Sequence, residues 1–344
     1  MAILSVSLHL PGPAAVVWSI PGTVFWPYFS GIVIFFLGLA VLAKEETETA
    51  LGFSRVVRLG PILFAVAMAI FGADHLVAAK FVAMLVPSWM PARLFWAYFV
   101  GFALTAAALG LVTRVQWRLA AAMLGIMIFM FVLMIHLPNW VKKPGLNIPL
   151  TILVRDMSLS AGALAFGVSG TNQRADGFRL GRFRSLAPGL IFVARFAIAL
   201  AMVVFGIDQI LNPSFAPGIP QENPALVVTM PAWIPAHALW ARLSGVIFLA
   251  CALGMTIRKQ TRLAATTLGL TVMLLIVFVY LPLTIARAAD IASGLNYLAI
   301  HFALAGSAFF LASAMPVNAA SEASREESEM GSASLMSVTN EHSL

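Results

Sequence analysis

Residues 87–125 read PSWMPARLFWAYFVGFALTAAALGLVTRVQWRLAAAMLG, and residues 231–269 read PAWIPAHALWARLSGVIFLACALGMTIRKQTRLAATTLG. The two stretches align without a gap at an offset of 144 and agree at 19 of 39 positions. Each has a Pro-x-Trp-x-Pro turn, an apolar run, a basic hairpin and the start of a second apolar run. A helix needs roughly 17–25 mainly apolar residues to cross a bilayer. The pattern therefore predicts a hairpin of membrane helices, and predicts it twice.

The likeness continues on both sides. His136-Leu-Pro138 pairs with Tyr280-Leu-Pro282, and Ala161-Gly162 with Ala305-Gly306, at the same offset of 144. Upstream the offset falls to 134, where Phe71-Gly72-x-Asp74 pairs with Phe205-Gly206-x-Asp208. The second half thus carries ten extra residues in its first outer loop. Nine spans are expected, at 27–43, 59–79, 94–113, 119–136, 150–168, 188–211, 237–257, 263–285 and 295–314. Pro21 and Pro27 are expected to shorten the first. Long uninterrupted apolar runs suit helices and not the alternating strands of a barrel.

The expected fold is all-α: a polytopic membrane protein with two parallel four-helix bundle repeats plus one N-terminal transmembrane helix. The organisation predicted is an N-terminal segment (1–57), a first repeat (58–168), a basic cytoplasmic linker (169–187), a second repeat (188–315) and a disordered acidic tail (316–344).

Composition points the same way. The chain has 344 residues, 61% hydrophobic and 10% charged, with a mean hydropathy of +0.94. Soluble domains carry about 25% charged residues, so a soluble enzyme and a disordered chain are both excluded. The net charge of +7 would suggest nucleic acid in a soluble protein. Here the connecting loops account for it. Alternate loops plus the tail hold 13 Lys and Arg, the opposite loops hold 5, and Arg155, Arg195 and Arg242 fall within spans. By the positive-inside rule the N-terminus lies outside and the C-terminus in the cytoplasm of an inner-membrane protein. No nucleic-acid partner is expected. Residues 1–43 lack Lys and Arg, so no secretory signal is read there. The lone Cys251 excludes an internal disulfide, a CxxC pair and cysteine-ligated clusters.

With these motifs in hand, each four-span unit resembles the DoxX-like family of small four-helix membrane proteins. The likeness rests on the Pro-x-Trp-x-Pro turn, the Trp and Gly that follow it, and the Leu-Gly…Arg-x-x-x-Arg-Leu-Ala-Ala hairpin. It covers about 58–168 and 188–314. It implies a membrane subunit associated with quinone-linked redox chemistry, with a membrane or soluble oxidoreductase as partner, and no defined reaction. A small-solute or lipid-handling protein and a scaffold for a partner protein are the alternatives.

Ionisable groups cost several kcal/mol inside a bilayer unless paired, so those within or beside spans are the candidate sites. In the first repeat these are Asp74, His75, Trp89, Arg93, Trp96, His136, Arg155 and Asp156. In the second they are Asp208, Trp233, His237, Trp240, Arg242, Tyr280, Tyr297 and His301. All fall at one expected depth, near the outer face. Asp74 is expected to pair with Arg93 or Arg155, with Trp89 or Trp233 as roof. The groups would line either a polar pocket for a quinone headgroup or a purely structural ion-pair network. The tryptophans equally fit an aromatic belt.

Haem is disfavoured. His75 aligns with Gln209, His136 with Tyr280 and His237 with Arg93, so the repeats share no pair of axial ligands. No HxxxH or paired-carboxylate spacing suggests a metal. Nothing resembles a nucleotide loop. Catalytic residues stay unassigned.

Overall fold

The computed structural model describes residues 21–45, 53–169, 184–220, 235–292 and 294–315. The tail, most of the basic linker and Trp233 lie outside the described residues. Nine described helices are long and apolar enough to cross a membrane, and no strand occurs among the described residues. The chain is an integral, all-α membrane protein.

They are built on α1 (Gly22–Glu45), α2 (Gly60–Val77), α3 (Arg93–Thr113), α4 (Trp117–Phe131), α5 (Ile148–Val168), α6 (Ala187–Leu211), α7 (His237–Thr256), α8 (Thr261–Leu275) and α9 (Leu295–Ala314), and the spans that contain α4 and α8 run on to Lys142 and Ala286. Prolines mark several starts: α2, α5 and α6 each have one at the first or second position, where its missing N–H costs nothing. Pro27 does not delay α1, which begins at Gly22 with the proline inside. A proline this near the start forfeits a single backbone hydrogen bond.

Helices α3 and α7 begin in the same unusual way. Ala92 (φ 49°) and Ala236 (φ 53°) are left-handed, a strained choice for alanine. The indole N–H of Trp96 donates to Pro91 O at 3.0 Å, and that of Trp240 to Pro235 O at 3.0 Å. The tryptophan of the first turn thus ties down the proline of the turn motif. At the opposite end, arginines close helix C-termini, whose last carbonyls lack helical donors. Arg118 donates to Phe166 O (3.2 Å), Arg262 to Ala312 O (3.1 Å), and Arg195 to both Met255 O (3.1 Å) and Thr256 O (3.0 Å).

Two helices widen into π turns, at Val132–His136 and Ile276–Tyr280. Each is followed by Leu-Pro. Pro138 and Pro282 have no N–H to offer, and their rings collide with the carbonyl four residues back. A wider turn relieves that collision.

Packing forms a closed circuit. Helix α2 packs on α3, α3 on α4, α4 on α5, α5 on α6, α6 on α7, α7 on α8, α8 on α9, and α9 returns to α2. Helices α5 and α9 cross the middle, where Ser307 Oγ donates to Ser158 O at 2.9 Å. A Cβ on Gly162 would sit 2.9 Å from Ser307 O, so the crossing is close. The circuit is pinched into two bundles, and each is closed by the last helix of the other half. Helix α1 lies against α2, with Ser30 Oγ donating to Ala69 O at 3.1 Å. Large apolar side chains such as Phe36, Phe102, Leu253 and Leu274 are exposed, as suits a surface solvated by lipid.

A candidate chamber and its filled counterpart

A cavity of about 200 Å³ lies in the first bundle. Met68, Phe71 and His75 of α2, Leu104 of α3, Ile128 and Phe131 of α4, and Arg155, Asp156 and Leu159 of α5 line it, together with Ile300 of α9. Most of its wall is apolar. The polar part comes from α2 and α5 alone.

Asp156 anchors that polar part. Its Oδ1 accepts from Arg155 Nε at 2.7 Å, and its Oδ2 lies 2.9 Å from His136 Nε2. The Asp156 side chain is 12% exposed. Paired with a neighbouring guanidinium and a second donor, it can stay charged at this depth. His136 is the last residue of the first π turn, so the turn that Pro138 imposes also places the imidazole on Asp156. Ser158 Oγ and Asn147 secure the same helix: Ser158 Oγ donates to Arg155 O at 2.6 Å, and Asn147 Oδ1 caps the start of α5 by accepting from Leu150 N–H at 3.2 Å.

His75 contributes differently. Its Nδ1 lies 2.7 Å from Phe71 O. A carbonyl only accepts, so Nδ1 carries the proton and Nε2 is an acceptor. The backbone holds the ring close, because α2 and α3 cross at glycines. A Cβ on Gly101 would sit 3.0 Å from His75 Cβ, and one on Gly72 would sit 3.1 Å from Gly101 O.

The other expected residues of this half stand apart from the chamber wall. Asp74 is half-buried at the end of α2, and Arg155 is held by Asp156 instead of by Asp74. Chain neighbours on one helix meet more readily than groups on separate helices. Arg93 is exposed. Trp89 is 71% exposed and does not line the cavity, so it does not roof it. Trp96 is committed to its turn.

The second bundle differs. Asn212 Nδ2 donates to Asp208 Oδ1 at 2.6 Å, which occupies the carboxylate at the helix end. Tyr280, at the end of the second π turn, is 1% exposed and His301 is fully buried. Their rings stack, with centroids 3.6 Å apart at 25°. Tyr297 O accepts from His301 Nδ1 at 2.7 Å. His237 is half-buried, while Trp240 and Arg242 are exposed. Where the first bundle has a cavity, residues 216–220 are buried here. Gln209, which takes the aligned place of His75, donates to Ala216 O at 3.0 Å.

Sequence reasoning missed Gln209 and the buried loop. The signal available was the run of ten extra residues beginning in a Pro-Gly-rich stretch. A search of family models, of curated proteins and of solved structures finds no match to this chain.

Proposed function

We propose that this integral membrane protein is a duplicated, DoxX-like subunit that holds a quinone-type headgroup in the chamber of its first bundle. In this reading it serves a membrane or soluble oxidoreductase. The observation that carries the proposal is the polar corner formed by His75, Arg155 and Asp156 in an otherwise apolar cavity between membrane helices. Apolar walls with a few convergent polar groups are the usual build of a small-molecule site.

The chain's own groups fit such a ligand. A quinone supplies the two-electron, two-proton chemistry when bound. His75 Nε2 offers an acceptor for a headgroup hydroxyl and a place for its proton. Arg155 places a positive charge at the same wall, and Asp156 fixes that arginine. His136, on the far side of the carboxylate, connects the corner to the loop end of the bundle. Phe71 and Phe131 offer flat apolar faces. A duplication accounts for the paired π turns and paired tryptophan turns. The close α5–α9 crossing counts against a solute path between the halves.

The test is a lipid extract and ultraviolet–visible spectrum of detergent-purified protein, with a short-chain ubiquinone titrated against tryptophan fluorescence. Co-purified quinone and saturable quenching are expected. His75→Ala and Asp156→Asn should each weaken binding about tenfold, the cost of about one hydrogen bond. An extract without quinone and an unsaturable titration reject the reading.

A further inference from the structure

The second bundle binds something already: its own chain. Residues 216–220 are all buried, with Ala216 3% exposed and Ile219 fully buried. Three hydrogen bonds seat them. Gln209 Nε2 donates to Ala216 O (3.0 Å), Tyr280 Oη donates to Pro217 O (3.0 Å), and Ile219 N–H donates to His301 Nε2 (3.1 Å). The bond from His301 Nδ1 to Tyr297 O fixes the tautomer that makes Nε2 an acceptor.

Every group the segment contributes is main chain. The bundle reads carbonyl, carbonyl and amide N–H over four residues, while the side chains stay small or apolar. Gly218 lies between them at φ +124°. A Cβ there would sit 2.5 Å from His301 Nε2 and 3.1 Å from Tyr280 Oη. The residue over the stacked rings must therefore have no side chain. These contacts come from α6, the second π turn and α9, three separate elements, so the seat exists in the bundle and not only within the loop.

We propose that the loop end of the second bundle is a receptor for an uncharged peptide backbone bent at a glycine, and that Ala216–Ile219 is its tethered occupant. The first bundle has no matching groups: His75, His136 and Met157 stand where Gln209, Tyr280 and His301 stand in the second. The second bundle's seat is thus filled from within the chain, whereas the first bundle holds the cavity. This inference is independent of the quinone reading.

The probe is the peptide acetyl-Ala-Pro-Gly-Ile-amide, added to the full chain in detergent. Gly218→Val is expected to lift the chain's own segment, and the peptide then binds that variant at close to one per chain. It does not bind the unaltered chain, and the same peptide with an N-methylated isoleucine binds neither. No binding to the variant, or equal binding to both chains, overturns the proposal. Tyr280→Phe keeps the ring stack and removes one bond, so it serves if Gly218→Val does not fold. It should speed amide exchange across 216–220 about tenfold, the loss of about one hydrogen bond. Exchange unchanged by Tyr280→Phe and His301→Ala also overturns it.

Discussion

His136 Nε2 lies 2.9 Å from Asp156 Oδ2, and the residue that sets this contact is Pro138, two positions further on. Pro138→Ala restores an N–H and lets the π turn tighten to an α turn, which rotates His136 away. The expected loss is about 1.5–3 kcal/mol, the range for a hydrogen bond to a charged group. A double-mutant cycle with His136→Ala checks it by thermal or denaturant unfolding. Additive losses would mean that the proline does not act through the histidine.

Asp156→Ala should be worse than removing both charges. It leaves Arg155 without its carboxylate in a half-buried position. Breaking a buried pair costs about 3–5 kcal/mol, whereas replacing both members by apolar residues is often neutral. Arg155→Met combined with Asp156→Leu is therefore expected to unfold later than Asp156→Ala alone. The reverse order would show that the pair's charge does not govern stability here.

Helices α6 and α7 meet backbone to backbone. A Cβ on Gly206 would lie 2.8 Å from Gly245 O, and a carbonyl cannot turn aside as a side chain can. Gly206→Val should cost about 1–3 kcal/mol or more through overpacking. Gly189→Val on the same helix, where nothing lies within 4 Å of the new Cβ, is the control and should melt close to the unaltered protein.

Arg195 joins α6 to the end of α7 through two carbonyls. Lysine keeps the charge but not the fork, so Arg195→Lys should lose about one hydrogen bond, ~1 kcal/mol. Equal melting of Arg195→Lys and the unaltered protein would mean that charge alone suffices.

Orientation is checked by thiol labelling of intact cells. Cys251 is 4% exposed, so it gives little background. A membrane-impermeant maleimide should reach a cysteine at Lys143 and miss one at Gln116 if the less basic loops lie outside. The opposite labelling reverses the topology.

The helices were legible because a span needs only length and apolarity, and both can be read locally. Turn chemistry was partly legible: the Trp and Pro of each turn motif stand five residues apart, the spacing over which the indole reaches the carbonyl. Leu-Pro after His136 and Tyr280 could have suggested the π turns. The chamber was less legible. Depth in the membrane is what a sequence reveals, and depth does not distinguish His75, which lines the cavity, from Arg93, which is exposed. Asp74 matches Arg155 in charge and expected depth, yet Arg155 is satisfied by Asp156 beside it. The burial of 216–220 depends on Gln209, Tyr280 and His301, spread over more than ninety residues of chain. No local pattern announces that convergence.

Ile300 closes the first chamber from α9, 141 residues after Leu159 on α5. During synthesis the first four-span unit therefore enters the membrane with one wall missing. Only when the ninth helix is inserted does the cavity acquire its final boundary. A ribosome that stops early leaves a gap facing lipid where the chamber should be, so completion of the chain is also the step that assembles the pocket.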